Sequence, residues 1–92
     1  MIKSFEHKGL RDFFEKGSKA GIQPNHAKRL RFQLASLDSA TVIDDMNLPG
    51  WRLHQLKADR AGRWSITVNG NWRVTFDFHD GDAYVVDYED YH

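Results

Sequence analysis

Titratable and cationic side chains gather in three places in the second half of the chain. His54, Lys57 and Arg60 follow a Pro49-Gly50 break, and Arg73 stands in a stretch that alternates apolar and polar residues. The last residues read Asp87-Tyr88-Glu89-Asp90-Tyr91-His92. These residue types cover two kinds of chemistry. Histidine and aspartate exchange protons, and an unperturbed histidine titrates near pH ~6.5, so His54 and His92 can give or take one near neutrality. Lysine and arginine hold anions, lysine as a point charge and arginine through a planar fork of donors. Spacing alone does not make a site of them. Two features favour one: a potential acid/base group stands beside an aromatic at the Asp90-Tyr91-His92 end, and the cationic groups lie on stretches that could pair near that end.

The elements that must position these residues follow from periodicity. Ile2 to Phe5 could form a short first strand. Leu10, Phe13 and Phe14 make an apolar stripe at helical spacing, which Gly17 ends. After a loop from Ser18 to Gln23, Pro24 suits a helix start with Asn25 as a possible cap. Ala27, Leu30, Leu34 and Leu37 then share one helical face, with Lys28, Arg29 and Arg31 mostly off it. Thr41 to Met46 reads as one helical turn. Beyond Pro49-Gly50 the period becomes two. Arg52 to Leu56 is a plausible strand, and Trp64, Ile66 and Val68 alternate with Arg63, Ser65 and Thr67. Asn69-Gly70 signals a type I′ hairpin turn, and Trp72, Val74, Phe76 and Phe78 return. Asp80-Gly81 marks a second turn before a last strand, Ala83 to Tyr88. The expected fold is α+β: two N-terminal helices packed on one face of a mostly antiparallel sheet of four to five strands. Trp64, Ile66, Val68, Trp72, Val74 and Phe76 should form the core against Phe13, Phe14, Leu30 and Leu34. Arg73 then projects from the opposite face, either paired with Asp77 or Asp87 or lining a cleft.

Ninety-two residues fit one domain, expected over residues 1–92. Hydrophobic residues at 40% and charged residues at 28% are an ordinary globular balance, which excludes a disordered or low-complexity chain. The longest apolar run, Ala83 to Val86, is far short of the ~20 residues of a membrane helix. The N-terminal residues carry no apolar signal core, and there is no cysteine. A cytoplasmic protein without a membrane role is expected. The formal net charge of zero hides segregation: the net is +5 over residues 1–37, −3 over 38–50, +4 over 51–75 and −6 over 76–92. Such asymmetry can mark a polyanion-binding face, or the opposite segments can meet in the fold and cancel.

Each candidate has a plainer reading. Asp90 and His92 could be a frayed acidic tail. Lys57 and Arg60 could belong to a solvated basic loop, and His54 could fill space on a strand. Lys16, Lys19, Lys28, Arg29 and Arg31 could be solvated helix surfaces. His7, His26 and His79 show no metal-ligand spacing and are expected at the surface. Trp64 and Trp72 are expected as a core pair on adjacent strands, and Trp51 as an exposed aromatic.

Several segments, read together, carry a resemblance. They are Met1-Ile2-Lys3-Ser4-Phe5, Phe14-Glu15-Lys16-Gly17, Arg52-Leu53-His54-Gln55-Leu56-Lys57, Gly62-Arg63-Trp64-Ser65-Ile66-Thr67-Val68, Asn71-Trp72-Arg73-Val74-Thr75-Phe76, Gly81-Asp82-Ala83-Tyr84 and Asp87-Tyr88-Glu89-Asp90-Tyr91-His92. In this order they resemble the HigB toxins of the RelE/ParE superfamily, from Met1 to His92. The stretch from Ser18 to Gly50 is the least distinctive.

The resemblance implies a RelE-like fold and a ribosome-dependent mRNA endonuclease. Such a toxin cuts mRNA codons in the A site of the 70S ribosome, against the 30S subunit and its 16S rRNA. It is paired with a HigA-type helix-turn-helix antitoxin and reaches operator DNA only through it. Carried over by motif, His54, Lys57, Arg73, Asp90, Tyr91 and His92 become catalytic candidates. Arg60, Lys16, Lys19, Lys28, Arg29 and Arg31 become RNA-binding candidates. A net charge of zero departs from a family that is often basic. The implied cleavage, attack by the ribose 2′-OH on the adjacent phosphate, calls for no metal or other cofactor. It needs a base near the 2′ oxygen, cations near the phosphate and an acid near the leaving 5′ oxygen. Lys57 and Arg73 would stabilise the phosphorane-like charge, and Asp90 and His92 would move protons. Tyr91 would stack on a base or donate to a phosphate oxygen. Two further readings stay open: a ParE-like toxin that inhibits a protein target such as gyrase, and a non-catalytic corepressor.

Overall fold

The computed structural model describes residues 1–57 and 62–91. Arg60 and His92, both candidates from the sequence, lie outside the described residues.

Helix α1 spans Lys8–Lys16. Its first turn is capped by His7, whose Nδ1 accepts from the Leu10 amide at 3.0 Å. It ends at Gly17 in the left-handed conformation, φ 75°, with the Gly17 amide on the Phe13 carbonyl at 2.9 Å. A 3₁₀ turn, Pro24–His26, leads into α2, Ala27–Ser39. Proline sits at the start as expected. Asn25 is no cap, however: Gln23 holds that position, with no side-chain hydrogen bond. Ala27, Leu30, Leu34 and Leu37 are buried along one face. Ile43–Met46 form the expected single turn, a 3₁₀ one.

The sheet is a four-stranded antiparallel meander: β1 His54–Gln55, β2 Trp64–Asn69, β3 Trp72–His79 and β4 Asp82–Asp90. The N-terminal segment runs beside β4 through isolated parallel bridges, Ile2 to Ala83 and Phe5 to Val86, so the expected first strand is present only as two contacts. Strand β1 is also shorter than expected. Arg52 has φ 51°, which no extended strand accommodates, and pairing begins two residues later.

Both hairpin turns fall where expected, but with different geometry. Asn69 pairs with Trp72, so the loop is Gly70-Asn71, and only Gly70 has positive φ. That is the φ pattern of a type II′ turn rather than type I′. At the second turn Asp80 and Gly81 both have positive φ, as type I′ requires.

One face of the sheet packs on α1 and α2. Ile66, Val68, Val74, Phe76, Val86 and Tyr88 are buried there with Leu10, Phe13, Leu30 and Leu34. The two tryptophans are not a core pair. The register sets Trp64 opposite Phe76 and Trp72 opposite Asn69, and both are only half-buried. Trp72 instead stacks on Tyr88, ring centroids 4.5 Å apart. Trp51, expected at the surface, is buried, with Phe32 edge-on to it at 5.5 Å. No helix among the described residues is long and apolar enough to cross a membrane.

Candidate active site

The sheet face turned away from the helices is polar, and the register assembles it in rows. His54, Ser65, Thr75 and Asp87 stand opposite one another across the four strands, and Thr67, Arg73 and Glu89 form the next row. Period-two alternation explains this face: Val74 and Phe76 point to the helices, so Arg73, Thr75 and Asp77 point away.

Arg63 lies over this face. Its Nη2 donates to Thr75 Oγ1 at 3.0 Å and to the Val85 carbonyl at 2.9 Å, and its Nη1 sits 3.3 Å from Asp77. Thr75 Oγ1 in turn donates to Glu89 Oε2 at 2.5 Å. A bulge makes this arrangement possible. Between the Thr75–Asp87 and Asp77–Tyr84 pairs, two residues of β4 oppose one of β3. Val85 takes the strained conformation, φ 52°. Ser4 Oγ holds its amide at 2.8 Å while Arg63 holds its carbonyl.

Arg73 is half-buried. Its Nη1 donates to the Gly70 carbonyl at 2.7 Å, and its guanidinium carbon lies 5.8 Å from the centre of the Tyr91 ring. Neither acid that the sequence offered Arg73 is its partner: Asp77 is on Arg63, and Asp87 accepts from the Tyr88 amide at 2.9 Å. Tyr91 is tied to the hairpin turn, its amide on the Asn71 carbonyl at 2.8 Å.

Asp90 faces the other way. It is opposite Trp72 and lines a polar cavity of about 420 Å³ with Gln23, Asn25, His26, Asn71 and Trp72. Asp87 to Asp90 are therefore strand rather than a frayed tail, and the strand end divides Tyr91 and Asp90 between two sides. Beneath Asp90 lies a buried pair. His26 Nδ1 is 2.6 Å from the Tyr88 hydroxyl, which also receives the Gln23 amide at 3.3 Å. One proton joins His26 Nδ1 and the hydroxyl, and the imidazole tautomer sets which of them donates. Burial holds His26 below its ordinary pKa. Burial first, and the nearby charge of Asp90 as well, hold Tyr88 above its own, while the Gln23 amide pulls the other way. His26, expected at the surface, is thus buried; His7 caps α1, and His79 is exposed as expected.

The remaining candidates spread out. His54 is exposed on β1, its Nδ1 3.2 Å from the Arg52 carbonyl. It shares Arg73's face but lies two strand spacings from β3, or ~10 Å. Lys57 is exposed just beyond β1. Lys16 and Lys19 are exposed at the end of α1 and in the loop after it. Lys28 and Arg31 are exposed on α2, and Arg31 lies over the Phe13 ring at 5.6 Å. Arg29, on α2, shares a cavity of about 390 Å³ with Arg73. Among the described residues no group of three His, Asp or Glu is placed to hold a metal ion.

Three residues on these surfaces escaped the sequence reading. Arg63 and Glu89 could have been found by carrying the alternation of β3 across to its neighbours. Arg52, which lines the cavity with Arg29 and Arg73, was hidden by its place in an expected strand.

Comparison with known proteins agrees with this architecture. The family described as RelE-like toxin of type II toxin–antitoxin system HigB matches residues 3–92. Endoribonuclease HigB of Proteus vulgaris is 52% identical over 92 residues, the full length of both chains. Toxin HigB-1 of Vibrio cholerae serotype O1 is 32% identical over 85 residues, 90% of each chain. The chain belongs to the HigB-like family of RelE-like toxins of type II toxin–antitoxin systems.

Proposed function

We propose that this toxin is a ribosome-dependent endoribonuclease that cuts mRNA in the ribosomal A site by attack of the ribose 2′-OH on the adjacent phosphate. The observation that carries this reading is the placement of Arg73, half-buried beside Tyr91 on the open polar face of the sheet. The name of the Proteus vulgaris relative, an endoribonuclease, supports it. A half-buried guanidinium offers two parallel donors to the phosphate as charge builds on its oxygens. Tyr91 offers a ring for a nucleobase and a hydroxyl for a phosphate oxygen.

Asp90 and His92 divide the roles of base and acid, Asp90 reaching the phosphate around the strand end from the side opposite Arg73. Lys57 adds positive charge, and His54 stands on Arg73's face as a further proton carrier. Lys16, Lys19, Lys28, Arg31 and Arg60 contact ribosomal RNA. As a type II toxin the protein has an antitoxin partner. That partner is of the HigA helix-turn-helix type and carries the toxin to operator DNA. The setting is the cytoplasm.

Replacing Asp90 or His92 with alanine tests the site. Each variant should relieve growth arrest while antitoxin binding is unchanged. Full toxicity in both would remove them from the reaction.

A further inference from the structure

At the turn end of the β2–β3 hairpin three arginines from three separate elements line one cavity of about 390 Å³: Arg29 from α2, Arg52 from the loop before β1, and Arg73 from β3. The other lining residues, Gly50, Thr67, Val68, Asn69 and Gly70, include no carboxylate. Among the described residues, none of the three arginines is within ion-pair distance of an acid. Three like charges around one small cavity repel one another, and an anion relieves that repulsion.

The cavity is built rather than incidental. Trp51 is buried and anchors the loop, its carbonyl accepting from the Thr67 amide at 2.7 Å. Gln33 Nε2 donates to the Thr67 carbonyl at 2.8 Å from the helix side. Arg29 Nη2 reaches the Gly50 carbonyl at 3.4 Å. Arg52 follows Trp51 with φ 51°, a conformation that long side chains avoid. The anchored Trp51 on one side and the pairing of His54 on the other hold it there. Arg73 stands at the border, since the same guanidinium lies by the Tyr91 ring.

We propose that Arg29, Arg52 and Arg73 grip the RNA phosphate next to the one that is cut. This rests on the endoribonuclease reading, because it is Arg73 that joins the cavity to the reacting phosphate. One side chain shared by two anion positions fits consecutive phosphates of a single strand. The non-bridging oxygens of a phosphodiester sit on a tetrahedral centre and can be approached from several sides, whereas those of a carboxylate lie in one plane, so forked donors from three directions suit the phosphate better.

The test is binding of a hexanucleotide RNA with 2′-O-methyl groups, which cannot be cut, to the intact protein over a range of salt concentrations. The comparison is with the R29Q/R52G double variant. Glycine at 52 accepts the positive φ, and glutamine at 29 suits an exposed helix, so both changes should leave the thermal melt intact. The expected result is a Kd raised about tenfold per arginine at low salt. The slope of log affinity against log salt should become shallower by about 0.7, the loss of one phosphate contact. R52K should keep the slope but not the full affinity.

An unchanged Kd and slope in the double variant would overturn the proposal. So would loss of antitoxin binding with RNA binding intact, which would assign the cavity to an acidic protein segment. If wild-type protein bound the hexanucleotide with the full slope yet cut no RNA on ribosomes, the endoribonuclease reading would fail and phosphate binding in the cavity would stand.

Discussion

Thr75 shows how single side chains hold the candidate site. It is fully buried on a polar face, and its hydroxyl both accepts from Arg63 and donates to Glu89. T75V keeps the shape and the strand preference but removes both bonds and leaves charged partners under-satisfied. It should cost about 2 kcal/mol, given ~1 kcal/mol or more for each bond to a charged group. In a domain of this size that lowers the melting temperature by roughly 10 °C. T75S should recover most of the loss, and thermal unfolding followed by circular dichroism separates the two. Arg73 stood out in the sequence because alternation places it on the face away from Val74 and Phe76. Glu89 follows from the same alternation carried to the neighbouring strand, but part of the role of Arg63 depends on Val85. The bulge there aims a carbonyl at Arg63, and the residue types give no sign that a β-branched valine will take positive φ.

At the level of elements, periodicity was a good guide to helices and hairpins and a poor one to close backbone contacts. The Leu30, Leu34 and Leu37 stripe, the end of α1 at Gly17 and both hairpins were legible. The loop holding Arg52, the buried Trp51 and the edge position of residues 2–5 were not. Those follow from long-range pairing, such as Thr67 with Trp51, that no local pattern encodes.

The contact between α1 and the loop before α2 is another such case. A Cβ on Gly9 would meet the Gly21 carbonyl oxygen at 2.6 Å and the Gly21 Cα at 2.7 Å. Helix propensity alone predicts that G9A stabilises by about 1 kcal/mol. Backbone atoms cannot move aside as a flexible side chain does, and overpacking of this kind costs about 1–3 kcal/mol. The contact should win, so G9A should melt below wild type. A higher melting temperature would show that the loop gives way. That loop leads to Gln23 and His26, so the contact also sets the floor beneath Asp90.

Across the whole molecule, zero net charge conceals a divided surface. The acidic final segment is partly neutralised within the fold, where Asp77 meets Arg63 and Asp82 meets the N-terminal amine at 3.3 Å. Global stability should carry the signature of His26. The unfolded chain takes up a proton near pH 6.5, whereas burial holds the folded histidine lower. The stabilising difference is therefore present above pH ~6.5 and is lost as the pH falls toward the folded value. Chemical denaturation between pH 7.5 and 5 should show stability declining on acidification, by at most about 1.4 kcal/mol per pH unit from this proton. H26Q should flatten the decline. An equal slope in H26Q would assign the effect elsewhere. The lowered carboxylates, Asp12 and Asp45, act below that window, because their ordinary value is 3.8. Tyr88 gives the alkaline counterpart: its raised pKa stabilises the fold below pH ~10, and that contribution is lost as the pH climbs through the folded value.

The most direct test of the account is cleavage of a defined mRNA by wild-type protein and by R73A, with and without 70S ribosomes holding an empty, programmed A site. Wild-type protein should cut only in the presence of ribosomes and leave a cyclic or 3′ phosphate. R73A should cut about 10²–10³-fold more slowly, the loss seen when one donor to transition-state charge is removed, while binding antitoxin as tightly as wild type. Cleavage by R73A at the wild-type rate, or no cleavage by folded wild-type protein, would contradict it.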